Sequence, residues 1–75
     1  MEYDIYVKMA REDVHTLGYI VEAEDNLVNI RKYENGLLRI LTTEGLKDEV
    51  LDFLNELKNF IPLEVVDVRV NNGDI

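Results

Sequence analysis

Three acids crowd the stretch VEAEDNLVNI: Glu22, Glu24 and Asp25 fall within four residues. Carboxylates are the ligands a hard cation such as Ca²⁺ or Mg²⁺ selects, but Ca²⁺ needs six to eight oxygens in a defined cage. No calcium-loop spacing occurs here, so no metal and no cofactor is assigned. The other chemistry on offer is anion binding, by Arg31, Arg39 and Arg69 with Tyr6 beside them. Catalytic sets are missing. The chain has no cysteine and no serine, and His15 is its only histidine. No glycine-rich phosphate loop occurs, and the paired acids fall on an end expected to be exposed, without the burial that would raise a catalytic pKa. The sequence reads as non-enzymatic.

Positioning these residues takes six elements. EYDIYVKM alternates, with Tyr3, Ile5, Val7 and Met9 facing one way and Asp4, Tyr6 and Lys8 the other, which is a half-buried strand. From Ala10 the period becomes helical through Val14, Leu17 and Val21. Gly18 shares that face, where it would allow close approach to a sheet. The helix ends at Glu22–Ala23 and Asn26 is placed to close it as a left-handed residue. Glu22 and Glu24 oppose the helix dipole there.

NLVNIRKY and GLLRILT are two further strands joined at Asn35-Gly36. A three-residue loop, Glu34-Asn35-Gly36, is preferred over a two-residue one, because it sets Ile30 opposite Ile40 and Val28 opposite Thr42. It also sets Arg31 directly opposite Arg39, a like-charge pair that needs an offsetting group. EGLKDEVLDFLNELKNFIP is the clearest helix, with Leu46, Val50, Phe53, Leu54, Leu57 and Ile61 in one stripe and Pro62 as its stop. LEVVDVRV is a fourth strand, with Val66, Val68 and Val70 expected inward. Residues 71–75 read as a frayed tail of a single domain spanning 1–75.

The order β-α-β-β-α-β, with one apolar stripe per helix and one apolar face per strand, predicts an α+β fold. It is a ferredoxin-like four-stranded antiparallel sheet in the order 4-1-3-2, with both helices on one face. The uncovered face is then expected to carry Leu27, Tyr33, Leu37, Leu41, Leu63 and Val65, an apolar patch suited to an interface. A homodimer or a protein partner is the first expectation, through that face or a sheet edge. A small anionic ligand near Arg31 and Arg39 is the alternative.

The chain has 75 residues and a net charge of −8. That charge argues against nucleic acid, whose phosphates need a basic surface. No run is long and apolar enough for a membrane span, and no signal peptide is visible, so the expected location is the cytoplasm.

From Arg11 to Lys58 the chain resembles a family of small bacterial proteins described only as a domain of unknown function. Asp13-Val14, Glu22, Asp25, Asn26 and Leu27 occupy that family's pattern. The resemblance implies no activity, and it leaves Glu22, Asp25 and Asn26 as a motif without a role. The topology is also similar to that of the ACT group of amino-acid-sensing domains. Those carry a glycine between the first strand and first helix, where this chain has KMAREDV.

Overall fold

In the computed structural model, residues 1–23 and 29–73 are described, Glu22 and Ala23 by their backbone alone. The elements are β1 (Glu2–Met9), α1 (Arg11–Ala23), β2 (Asn29–Glu34), β3 (Leu37–Thr43), α2 (Lys47–Leu57) and β4 (Leu63–Asn71). They form one antiparallel sheet in the order β2-β3-β1-β4, the expected ferredoxin-like arrangement. Among the described residues no helix is long and apolar enough to cross a membrane.

The core lies between the sheet and the two helices. Ile5, Val7 and Met9 of β1 and Leu38 and Ile40 of β3 meet Leu17 and Val21 of α1 and Val50, Leu54 and Leu57 of α2. Ile61 closes the cluster behind α2. Strict alternation on β1 and β3 puts all five strand residues on one side, which is why both helices lie there. Full burial of each such side chain contributes about 1.5–3 kcal/mol, the main stabilising term in a chain this short.

α2 begins without a side-chain cap at Leu46, so its acids Asp48 and Glu49 are what complement its N-terminal dipole. At its far end the backbone tightens, Phe60 N–H donating to the Leu57 carbonyl at 2.9 Å, and Pro62 prevents continuation. Gly18 does not serve close packing. A Cβ built there meets nothing within 4 Å.

Both edge strands depart from the expected register. The β2–β3 hairpin turns in two residues, with Glu34 opposite Leu37. Asn35 at φ 54° and Gly36 at φ 79° are both left-handed, the conformation of the turn that matches strand twist. A register shift between Ile30 and Lys32 then restores Ile30 to its place opposite Ile40. The loop expectation is thus corrected while the Ile30–Ile40 pairing holds. Arg31 sits in the bulge, and Lys32 takes the position opposite Arg39. Because the extra residue inverts the alternation beyond it, Tyr33 pairs with Leu38 and packs against the core rather than facing outward. Its hydroxyl donates to the Met9 carbonyl at 2.8 Å, and Arg11 lies 5.4 Å from its ring centre.

β4 is bulged at Val66. Val65 pairs with Val7, and the next pair is Asp67 with Tyr6. Leu63 and Val65 therefore join the helix side and pack on the core, which corrects their expected place on the open face. Beyond the bulge, Val68 and Val70 pair with Ile5 and Tyr3 on the helix side, as expected. Asn71, expected in the tail, is the last residue of β4 and pairs with Glu2.

Candidate functional site

The side of the sheet away from the helices is built by the other half of each alternation. β1 presents Glu2, Asp4, Tyr6 and Lys8, and β3 presents Leu37, Arg39 and Leu41. β2 adds Lys32 and Glu34, and β4 adds Glu64, Asp67 and Arg69. Tyr6 and Leu37 form the centre. A depression on one flank is lined by these two with Lys32, Glu34, Asn35 and Arg39. A second, on the other flank, is lined by the same pair with Val66, Asp67 and Arg69. Val66 thus faces the open side, since the bulged residue breaks the alternation that would turn it inward.

The charges are arranged in local pairs. Arg69 Nε donates to Asp67 Oδ2 at 2.6 Å, and the Arg69 guanidinium lies 5.6 Å from the Tyr6 ring centre. The hydrogen bond and the charge of Asp67 hold Arg69 further in its cationic form. The Val68 N–H donates to the other oxygen of Asp67 at 2.9 Å. Lys32 Nζ lies 3.2 Å from Glu34 Oε2 at a well-exposed site, where such a pair contributes little.

Asp4 and Arg39 are the sheltered pair, with side chains 11% and 20% exposed. Arg39 Nε is 4.0 Å from Asp4 Oδ1, too far for a hydrogen bond, and is buried without a hydrogen-bond partner. Asn71 Nδ2 donates to both Asp4 oxygens, at 3.1 and 3.2 Å. The offsetting acid for Arg39 is therefore Asp4, from the central strand beside it.

The open side is close to neutral. Lys8, Lys32, Arg39 and Arg69 stand against Glu2, Asp4, Glu34, Glu64 and Asp67, four positive against five negative and hence a net of −1. The other charged side chains that are described, four positive against seven negative, hold −3.

Of the sequence-expected residues, the structure gathers Tyr6, Leu37, Leu41, Arg39 and Arg69 on this side. It removes Tyr33, Leu63 and Val65 to the core side and leaves Arg31 in the bulge. Leu27, Asp25 and Asn26 lie outside the described residues, as does the side chain of Glu22. Sequence reasoning missed Lys32 and Val66, which only the bulges turn outward. It also missed Asn71 as a partner for Asp4. The alternation of β1 places Asp4 outward and assigns it no partner. No group of three His, Cys, Asp or Glu side chains that could hold a metal occurs among the described residues.

Comparison with known proteins adds the family. A family model described as a domain of unknown function, DUF4911, matches residues 7–61, more than half of the chain. Comparison with curated proteins and with solved structures gives no significant match. The chain belongs to the DUF4911 family.

Proposed function

We propose that this DUF4911 member is a non-enzymatic protein-interaction module that acts as a homodimer, joined through its sheet rather than its helices. The charge distribution carries the reading. A chain at −8 repels its own copies, and the open side, at −1, opposes a second copy less than the −3 of the other described side chains. The same side has an apolar centre at Tyr6, Leu37 and Val66 that the helices leave uncovered. A small domain gains the burial it lacks by covering such a surface with a second copy.

Sedimentation across a range of concentrations tests this. The expected mass rises to twice 8.7 kDa. Tyr19→Glu, at an exposed position on α1, leaves that mass unchanged. A mass of one chain at every concentration removes the homodimer, and dissociation by Tyr19→Glu removes the sheet as its seat.

A second reading, binding of a small anionic metabolite, is favoured by Arg39 and Lys32, two cations that line one depression beside Tyr6 and Leu37. A carboxylate or phosphate seated between Arg39 and Lys32 would meet both charges. Thermal shift against a panel of such anions is expected to show stabilisation that Arg39→Ala abolishes. A panel with no stabilising anion discards this reading.

A further inference from the structure

We propose that two copies of the chain pair edge to edge through β4, antiparallel about a two-fold axis, in the register centred on Val68. The inference rests on the homodimer part of the reading above and seats the contact at a sheet edge instead of on the open face.

Among the described residues β4 pairs on one side only, with β1, and the Val68 N–H on its outer edge turns to Asp67 Oδ1, a bond that pairing exchanges for one to the facing strand. From Asp67 to Asn71 it runs beside β1 with no further register shift. Val68 and Val70 point to the helix side, yet they are 38% and 45% exposed, while Ile5 opposite Val68 is fully buried. The helical layer therefore stops short of this edge and leaves an apolar strip along an unpaired strand, a ready template for another strand.

The charges choose the register. A two-fold axis perpendicular to the sheet keeps both helical layers on one side, so each residue must face one that points the same way. Centring on Asp67 or on Arg69 sets like charges directly opposite each other, which destabilises the pair. Centring on Val70 sets Arg69 opposite Asn71 and forms no ion pair. Centring on Val68 sets Asp67 of each copy opposite Arg69 of the other, twice, with Val68 against Val68 between them; the matched stretch is Asp67–Arg69, since Val70 then meets the bulged Val66. The Arg69 side chain is 69% exposed and free to share Asp67 between the copies. Such exposed pairs select register and partner more than they supply affinity. Backbone hydrogen bonds and the covered valines supply that. The result is an eight-stranded sheet with all four helices on one side and the two open faces joined as one platform.

The chain has no cysteine, so one introduced cysteine reports one contact. Opposed residues of antiparallel strands have Cα atoms about 4.5–5.5 Å apart, inside the range of a disulfide. Mild oxidation of Val68→Cys is expected to give a covalent dimer as the main product. Val70→Cys, with its two copies separated by roughly 13 Å along the strands, stays largely single-chain over the same time. Cross-linking of both at similar rates overturns the register.

Charge variants test the interface without oxidation. Asp67→Arg and Arg69→Asp are each expected to sediment as single chains, and their equimolar mixture to regain the dimer, because opposite charges then meet across the axis. An internal role for the Asp67–Arg69 pair would not produce that rescue. If both variants remain dimeric while Leu37→Glu dissociates the protein, the copies meet through the open face. The edge pairing then falls and the homodimer stands. If the unaltered chain is a single chain throughout, both fall.

Discussion

The central strands β1 and β3 run with unbroken pairing to each other, whereas the edge strands β2 and β4 each carry a bulge. The contrast has a physical reason. A central strand is held on both sides, so an extra residue would disrupt two ladders, while an edge strand disrupts only one. The bulges also improve packing. In β2 the shift lets a two-residue turn coexist with Ile30 and Tyr33 on the helix side. In β4 it places Leu63 and Val65 inward ahead of Val68 and Val70, so one strand presents four apolar residues to the same side despite its sequence.

The largest expected effect lies in the centre. Ile40→Ala, at a fully buried β3 position, is expected to cost about 2–5 kcal/mol, measured by chemical denaturation, and a loss under about 1 kcal/mol would deny β3 its central role. Next comes the bulge in β4. Val65→Ala should destabilise by roughly 1–2 kcal/mol and Val66→Ala by clearly less, since Val65 packs on the core and Val66 faces solvent. Unbroken alternation predicts the reverse order, so the pair of variants decides between the two registers.

Tyr33→Phe sharpens the same question in β2. Loss of the hydroxyl bond to the Met9 carbonyl is expected to cost about 0.5–1.5 kcal/mol, and an outward-facing tyrosine would show no loss. The smallest effect is of opposite sign and lies outside the sheet. Gly18→Ala has open space for its methyl group and is expected to raise stability by about 0.4–1 kcal/mol in thermal melts. A destabilised variant would mean that α1 sits closer to a neighbour than the structure shows.

Legibility in the sequence divides along the same line. Tyr3, Ile5, Val7 and Met9 on one side of β1, and Leu38 and Ile40 on β3, can be read directly, because their period of two is uninterrupted. Tyr33, Leu63, Val65 and Val66 read to the wrong side, because one unpaired residue inverts the face of everything beyond it. The candidate site inherits that pattern. Tyr6, Leu37 and Arg39 sit where alternation puts them, while Lys32 replaces Arg31 opposite Arg39.

The sequence by itself determined the number and order of the elements, the antiparallel sheet in the order 4-1-3-2 and the apolar faces of its central strands. These arise from local periodicity and from the few ways two helices can cover one sheet face. Only the tertiary structure decided where the edge strands slip and which acid stands beside Arg39. It alone showed that the helices leave Val68 and Val70 partly uncovered. A bulge costs little where one side of a strand is free, so its position is set by the fit of turn, core and neighbouring strand together, which no local stretch of sequence contains.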